Sequence, residues 1–147
     1  MGSVGLQDEI SVVVTHGEKK PRGILVSCNL PYLPLDESNL AYRAAELFYA
    51  HTGALLETCE IHIEKRIPVA AGLAGGSTDA AAVLRALNTL HETGLTDDEL
   101  CEMGLKLGAD VPYCLRGGTM LAEGIGEELT ALAPRPHCWV VLCKPPL

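Results

Sequence analysis

The sequence is short of the features that mark membrane-spanning, secreted and nucleic-acid-binding proteins. No apolar run among its 147 residues approaches the ~20 residues that a helix needs to cross a bilayer. The opening residues, MGSVGLQDEI, have neither a basic region nor the long apolar stretch of a secretory signal. The formal net charge is −8 and no lysine/arginine cluster appears, whereas binding to a nucleic-acid backbone needs a basic face. We therefore expect a cytoplasmic protein (of the plastid stroma if its source is a plant), with no membrane or nucleic-acid partner.

Disulfide and metal-binding patterns are also missing. The cysteines contain no CxxC spacing and lie in apolar or amphipathic segments, so we interpret them as buried free thiols of a reducing compartment. The histidines are scattered, without the spacing that is typical of a metal site. The six cysteines are Cys28, Cys59, Cys101, Cys114, Cys138 and Cys143.

The first half of the chain predicts two strands, a helix and a further strand. Residues 9–15 and 23–28 are β-branched runs bracketed by turn residues, which indicates two strands of a hairpin or meander. Residues 36–38 offer side-chain oxygens that can cap the start of a helix. This helix has an apolar face and is expected to end near Gly53. The alternation in residues 59–64 predicts a strand with Ile61 and Ile63 facing inward. The apolar face of the helix consists of Leu40, Ala44, Leu47 and Phe48.

The second half predicts two helices and then short strands. A helix is expected over residues 78–91, and Thr96 with Glu99 forms a capping box that opens another, ending before Gly108. Short strands are expected at 111–115, 118–122 and 138–143. This order predicts an α+β fold with helices packed on a mixed sheet, in one domain over residues 1–147. In the helix over residues 78–91, the residues that are expected to be buried are Val83, Leu84, Leu87 and Leu90.

A glycine-rich segment lies between the third predicted strand and the next helix. Gly72, Gly75 and Gly76 lie among small residues, which allows the backbone N–H groups to approach a polyphosphate. The small residues are Ala70, Ala71 and Ala74. Ser77 and Thr78 follow, with hydroxyls that can cap the helix, reach a phosphate oxygen or ligate Mg²⁺. The pattern is typical of anion binding at a helix N-terminus, although spacing alone equally suits a turn that binds nothing.

Two common nucleotide-binding motifs do not fit this segment. No lysine follows Gly76, which excludes GxxxxGK[ST], and the spacing of G-L-A-G-G differs from GxGxxG. Asp79 follows directly, and we interpret it as a first-turn carboxylate that is favourable on the helix dipole, with magnesium binding as the alternative.

Three ordered segments carry a resemblance to a known family. PVAAGLAGGSTDAAAVLRALN (68–88) resembles the second motif of the GHMP kinases, P-x-x-x-G-L-x-[GS]-[GS]-[ST]. LPLDESNLAYRAAELF (33–48) resembles the family's P-x-D-x-x-N-L helix start, and LGADVPYCLRGGTMLAEGIGEEL (107–129) resembles the segment with its catalytic aspartate. With its extra glycine before Ser77, the motif resembles that of the family branch that phosphorylates diphosphocytidyl-methylerythritol in the non-mevalonate isoprenoid pathway.

The resemblance implies a fold, a reaction and a set of site residues. The fold would be the N-terminal domain of the GHMP kinases (ribosomal protein S5 domain 2-like), and the reaction a phosphoryl transfer from ATP, with Mg²⁺, to a hydroxyl of that substrate. Asp110 would be the catalytic aspartate, Ser77 would ligate the metal, and Asn39 and Leu40 would lie near the adenine. Gly72 to Thr78 would hold the ATP phosphates. The residues of the glycine-rich segment that are implied to bind the nucleotide are Pro68, Ala70, Ala71, Gly72, Leu73, Ala74, Gly75, Gly76, Ser77 and Thr78.

The sequence departs from the family at both ends. The strand A-K-x-N-L, whose lysine partners the aspartate, is not found, and Lys19 and Lys20 lie in a predicted turn. The chain stops at residues 144–147, where the family continues into a second domain. We therefore expect an internal fragment without the first strand and the C-terminal domain. Such a fragment would have weak stability, impaired catalysis and self-association through an unpaired sheet edge.

Two other interpretations remain open. The chain could belong to another GHMP kinase, such as a homoserine or mevalonate type, although the glycine spacing and the segment around Asp110 argue against that. It could also be a non-catalytic fragment that only binds nucleotide, as the missing lysine strand suggests.

Overall fold

A computed structural model describes residues 1–17 and 22–143 of the chain. The elements in these ranges are β1 (Glu9–Thr15), β2 (Gly23–Cys28), α1 (Leu40–Thr52), β3 (Thr58–Glu64), α2 (Gly75–Leu90), α3 (Asp97–Leu105), α4 (Val111–Arg116), β4 (Met120–Glu123) and β5 (Glu128–Ala131). The order confirms the predicted α+β class. The predicted turn at Lys19 and Lys20, and residues 144–147, lie outside the described residues.

The main sheet has β3 at its centre, in the order β1-β3-β2. The antiparallel pairing of β1 with β3 places Val12 opposite Ile61, and the parallel pairing of β2 with β3 places Val26 beside the same residue. The predicted hairpin of β1 and β2 is therefore wrong, although both strands have the predicted bounds. A central β3 satisfies backbone groups on both of its edges, and the local sequence of β1 and β2 carries no information about such an insertion.

The core lies between one face of this sheet and the helices. Ile61 and Ile63 point inward as predicted, α1 packs against β2, and α2 packs against β1 and α1. The opposite face of the sheet carries exposed Val13 and Leu25 and has no helix on it in the described part of the chain. Leu90 is half-exposed rather than buried, because it is the last residue of α2. The buried residues of α2 include Val83, Leu84 and Leu87, as predicted.

The ends of α1 and α3 follow from local chemistry. The side chain of Asn39 caps α1, whereas Asp36 accepts hydrogen bonds from the backbone and the hydroxyl of Ser38 instead of capping the helix. Gly53, with φ at 65°, ends α1 in the left-handed conformation that glycine adopts readily. Thr96 and Glu99 form the predicted capping box of α3.

Two predicted strands are wrong. Residues 111–116 form α4, because Pro112 lies in its first turn, where a missing N–H group costs nothing. Residues 138–143 form no regular element, and both Cys138 and Cys143 are exposed rather than buried. The strand predicted at 118–122 corresponds to β4, which pairs with β5 in a separate antiparallel ribbon. No helix within the described ranges is both long and apolar enough to cross a membrane.

Candidate functional site

The glycine loop, residues 68–74, connects the end of β3 to α2. Helix α2 begins at Gly75, three residues before the predicted start, because Gly75 and Gly76 form its first turn. Within the loop Gly72 has φ of 69°, and the non-glycine residues Ala70 and Ala74 have φ of 55° and 54°. Alanine in the left-handed region costs about 1 kcal/mol or more, so contacts outside the loop must hold this conformation.

The N-terminus of α2 presents uncapped backbone donors. Ala74 is the N-cap residue and has no side-chain oxygen with which to cap the helix. The first hydrogen bond inside the helix runs from the N–H group of Thr78 to the carbonyl of Ala74, at 2.9 Å. The N–H groups of Gly75, Gly76 and Ser77 therefore have no acceptor within the helix, and with the helix dipole they favour an anion.

A first cavity of about 370 Å³ opens over this helix start. That volume lies in the range of small-molecule sites, ~300–1,000 Å³. Ser77 is in the first turn of α2 but is not among the lining residues, and the hydroxyl of Thr78 donates to the carbonyl of Ala74 at 2.7 Å. The predicted nucleotide residues that line the cavity are Asn39, Leu40, Pro68, Ala70, Ala71, Gly72, Leu73, Ala74, Gly75 and Gly76.

Asn39 is in the wall of this cavity, but its side chain is engaged in the fold. Its Oδ1 accepts a hydrogen bond from the N–H group of Ala41 at 2.9 Å, and its Nδ2 donates to the carbonyl of Pro34 at 2.7 Å. Leu40 meets the helix start directly, since a Cβ atom on Gly76 would lie 3.4 Å from Leu40 Cδ1. Asn39 thus shapes the cavity by holding Pro34 and α1, whereas Leu40 supplies an apolar surface.

A second cavity of about 460 Å³ lies on the other side of the glycine loop. Gly72, Leu73 and Ala74 line both cavities, so the loop is a thin wall between them. The opposite wall consists of residues from the N-terminal segment 1–7. The residues contributed by α2, α4 and their connections include Thr78, Asp110, Tyr113, Cys114 and Gly117.

Asp110 contributes a free carboxylate to the second cavity. It occupies the N-cap position of α4 but makes no capping hydrogen bond, and it is half-buried. Within residues 1–17 and 22–143, its side chain makes no hydrogen bond or ion pair, and no other charged side chain lines this cavity. Its carboxylate is therefore available to accept a proton from a ligand.

The base of the loop contains a buried ion network that the predictions from the sequence do not include. Lys65 Nζ lies 2.5 Å from Asp8 Oδ2 and 2.9 Å from Asp79 Oδ2. Asp8 Oδ1 also accepts hydrogen bonds from the backbone N–H groups of Arg66 and Ile67, at 2.6 and 2.8 Å. We call Asp8, Lys65 and Asp79 the anchor network.

The interpretation of Asp79 as a first-turn dipole residue is wrong. Because α2 begins at Gly75, Asp79 lies in the second turn, where it is buried and pairs with Lys65. A signal was present: Asp79, Val83 and Leu87 recur every four residues on the buried face of α2. A carboxylate on such a face indicates a buried cationic partner.

The pKa values of the two carboxylates in the network are shifted in opposite directions. Burial raises the pKa of Asp79 to about 6, which the Lys65 ammonium opposes and the charge of Asp8 reinforces. Burial acts in the same direction on Asp8, but hydrogen bonds from Lys65 and from the N–H groups of Arg66 and Ile67 outweigh it and lower the Asp8 pKa. The two carboxylates likewise outweigh the burial of Lys65 and raise its pKa.

The comparison with protein families matches the part of the chain that contains the glycine loop and Asp110. The model described as "GHMP kinases N terminal domain" matches residues 39–118. This range includes Asn39, the glycine loop, α2 and Asp110.

Curated relatives match nearly the whole chain. A protein named 4-diphosphocytidyl-2-C-methyl-D-erythritol kinase, from Clostridium botulinum (strain Alaska E43 / Type E3), is 53% identical over 146 residues, covering 99% of this chain and 50% of the relative. A protein of the same name from Geobacillus thermodenitrificans (strain NG80-2) is 48% identical, covering 100% of this chain and 49% of the relative. The chain spans about half the length of the curated relatives it matches.

Solved structures share the fold. A crystal structure of 4-(cytidine 5'-diphospho)-2C-methyl-D-erythritol kinase superposes with a TM-score of 0.69 at 40% identity, covering 86% of this chain and 42% of that one. Homoserine kinase from Cytophaga hutchinsonii superposes with the same TM-score, 0.69, at 22% identity, covering 84% of this chain and 41% of that one. The second likeness shows the fold alone.

Proposed function

Since the chain belongs to the GHMP kinases, we propose that it serves the ATP-dependent phosphorylation of a small-molecule hydroxyl, with diphosphocytidyl-methylerythritol as the acceptor. The single observation that carries the proposal is the wall formed by Gly72, Leu73 and Ala74. On one side lies an uncapped helix N-terminus that suits phosphates, and on the other lies the free carboxylate of Asp110. Phosphoryl transfer is mostly a matter of positioning and charge stabilisation, which two sites on either side of one loop can supply.

The first cavity fits the nucleotide. Its small side chains would let phosphate oxygens approach the backbone, and the open N–H groups of Gly75, Gly76 and Ser77 would bind them. Leu40 would contact the adenine, and Asn39 would hold the wall beside it. ATP bound with Mg²⁺ would supply the phosphoryl group. The hydroxyl of Ser77, in the first turn of α2 but outside the lining of this cavity, is the metal ligand that the family resemblance implies.

Asp110 is the proposed catalytic residue. Its carboxylate accepts the proton of the acceptor hydroxyl while the hydroxyl oxygen forms its bond to phosphorus and the bond to the leaving oxygen of ADP breaks. A carboxylate with no other partner suits this role, because the transition state makes a modest demand for a strong base. The second cavity would hold the acceptor next to it.

The choice of acceptor is supported by the relatives. Proteins that are 47–54% identical to this chain carry the name 4-diphosphocytidyl-2-C-methyl-D-erythritol kinase. The likeness to a homoserine kinase, at 22% identity, supports no statement about substrate. These relatives are bacterial, and we place the proposed activity in a bacterial cytoplasm.

A second candidate function is nucleotide binding without transfer. The observation that favours it is the charge of the second cavity, where Asp110 is the one charged side chain that the described part of the chain contributes. Lys65 does not supply a cation to the second cavity, because it lines the first cavity and is paired with Asp8 and Asp79. Transfer would then lack a cation to balance the developing charge.

Transfer of labelled γ-phosphate from ATP to a panel of acceptors separates these functions. The panel contains diphosphocytidyl-methylerythritol, homoserine and mevalonate, and ATP binding is measured calorimetrically on the same preparation. Labelled diphosphocytidyl-methylerythritol alone supports the kinase proposal. ATP binding without any labelled product supports the second function, and absence of ATP binding contradicts both.

A further inference from the structure

The anchor network joins the two elements that flank the glycine loop. Lys65 directly follows β3, which ends at Glu64, and Asp79 lies in the second turn of α2. Asp8 directly precedes β1, which begins at Glu9. One ammonium group therefore ties the end of the strand before the loop to the helix after it, and to the neighbouring strand.

The network also contacts the first and last parts of the segment that forms the loop. Asp8 fixes the backbone of Arg66 and Ile67, the two residues that enter the loop from Lys65. At the other end, a Cβ atom on Gly75 would lie 3.0 Å from Lys65 Nζ and 3.1 Å from Ile67 Cγ2. The first residue of α2 therefore lies close to the lysine, and a side chain at this position would require Lys65 or Ile67 to shift by a few tenths of an ångström.

Stability is a poor explanation for this arrangement. The side chains of Lys65, Asp8 and Asp79 are 4%, 2% and 4% exposed, so three charges are withdrawn from water. Burying ions costs several kcal/mol each, and apolar replacements of buried ion pairs are often neutral or stabilising. Asp79 Oδ1 is in addition buried without a hydrogen-bond partner among the described residues. What the network does supply is a directional restraint on both ends of a loop whose Ala70 and Ala74 adopt an unfavourable φ.

We propose that Asp79 and Asp8, acting through Lys65, are positioning residues for the glycine loop. They hold the loop so that the N–H groups at the start of α2 face the first cavity before any ligand arrives. The inference rests on the proposed function, because the ligand for which the loop is held is the nucleotide phosphate. Without the network Ala70 and Ala74 are free to return to a favourable φ, and the donors lose their alignment.

The first test compares single variants that change one charge. Asp79→Asn retains the shape of the side chain and leaves Lys65 in place, and Asp97→Asn is the matched control on an exposed ion pair with Arg85. We measure ATP affinity by calorimetry and, without nucleotide, amide hydrogen exchange at residues 72–77. We expect Asp79→Asn to weaken ATP binding about tenfold or more and to accelerate exchange in the loop, because the donors at the start of α2 lose their alignment. The Asp97→Asn control should match the wild type in both measurements.

A second variant separates positioning from stability. A triple variant, Asp8→Asn with Lys65→Met and Asp79→Leu, removes all three charges. It places apolar side chains at positions 65 and 79. We expect this triple variant to unfold at a urea concentration near that of the wild type, yet to show fast exchange at residues 72–77 and weakened ATP binding. This variant also keeps the inference testable if Asp79→Asn alone fails to fold.

The outcomes distinguish this inference from the proposed function. Wild-type exchange and wild-type ATP affinity in the folded triple variant would overturn the positioning role. If the wild-type chain does not bind ATP, the proposed function fails, whereas exchange at residues 72–77 still decides whether the network holds the loop.

Discussion

The ammonium nitrogen of Lys65 lies 2.9 Å from Oδ2 of Asp79. This contact joins the residue after β3 to the second turn of α2 and so closes the base of the glycine loop. The loop in turn separates the cavity at the helix N-terminus from the cavity that contains Asp110.

Substitution of Gly72 tests the loop itself. Gly72 and Gly94 have φ of 69° and 70°, and an added Cβ atom would meet nothing within 4 Å at either position. Gly72→Ala and Gly94→Ala should therefore cost similar amounts of stability, about 1 kcal/mol each, because both force alanine into the left-handed region. We expect only Gly72→Ala to weaken ATP binding, measured by calorimetry. Equal ATP affinity in the two variants would show that the loop does not contact the nucleotide.

Asp110→Asn tests the proposed proton acceptor. Asparagine has the same shape and Asp110 makes no capping hydrogen bond, so the fold should be unchanged. We expect transfer to the acceptor to fall by ~10²-fold or more, because the amide cannot accept the proton. Calorimetric ATP affinity should remain that of the wild type, since Asp110 lines the other cavity. Transfer at the wild-type rate in this variant would refute the catalytic role.

Asn39 is predicted to act through the fold rather than through a bond to the ligand. Asn39→Ala removes the cap of α1 and the bond to Pro34, and should lower the free energy of unfolding by about 1 kcal/mol or more. Asn39→Asp keeps the oxygen that accepts from Ala41 but loses the donor to Pro34. We expect it to recover part of the stability in urea unfolding. Full loss of stability in the aspartate variant would contradict the capping role.

The two carboxylates of the anchor network should respond to pH in opposite ways. The Asp8 pKa is lowered in the folded chain, so its contribution to stability is present above its ordinary pKa and is lost as the pH falls through the lowered one. The Asp79 pKa is raised to about 6, so its contribution is fully present below the ordinary pKa and is lost as the pH rises through 6.

Urea unfolding between about pH 4 and pH 7 tests this difference. Relative to the wild type, the stability penalty of Asp79→Asn should shrink as the pH rises, whereas that of Asp8→Asn should not. Parallel pH profiles of the two variants would show that the carboxylates do not share one lysine in the way described.

Elements whose signal is local were predictable from the sequence. The alternation around Ile61 and Ile63, the capping box at Thr96 and the glycine that ends α1 each depend on a few neighbouring residues, and the structure has all three. The sequence also predicted the glycine-rich residues that line the first cavity. These glycine-rich residues belong to one continuous segment, so a local pattern was enough to identify them.

Features that depend on distant residues were missed. The insertion of β3 between β1 and β2 involves pairings between residues far apart in the sequence, such as Val12 with Ile61 and Val26 with Ile61, that no local pattern encodes. The segment predicted as a strand at residues 111–115 is a helix, because Pro112 in its first turn and the packing of α4 on α3 and α2 favour that conformation. Asp8 and Lys65 are 57 positions apart, so their contact became visible only in three dimensions.

Amide NMR of the wild-type chain during titration with Mg-ATP tests whether the glycine loop binds the nucleotide and the second cavity binds the acceptor. We expect the largest shifts at Gly72, Gly75, Gly76 and Ser77, and we expect subsequent addition of diphosphocytidyl-methylerythritol to shift residues around Asp110 in the second cavity. Shifts confined to other parts of the fold, or no shifts at saturating ATP, would contradict these expectations.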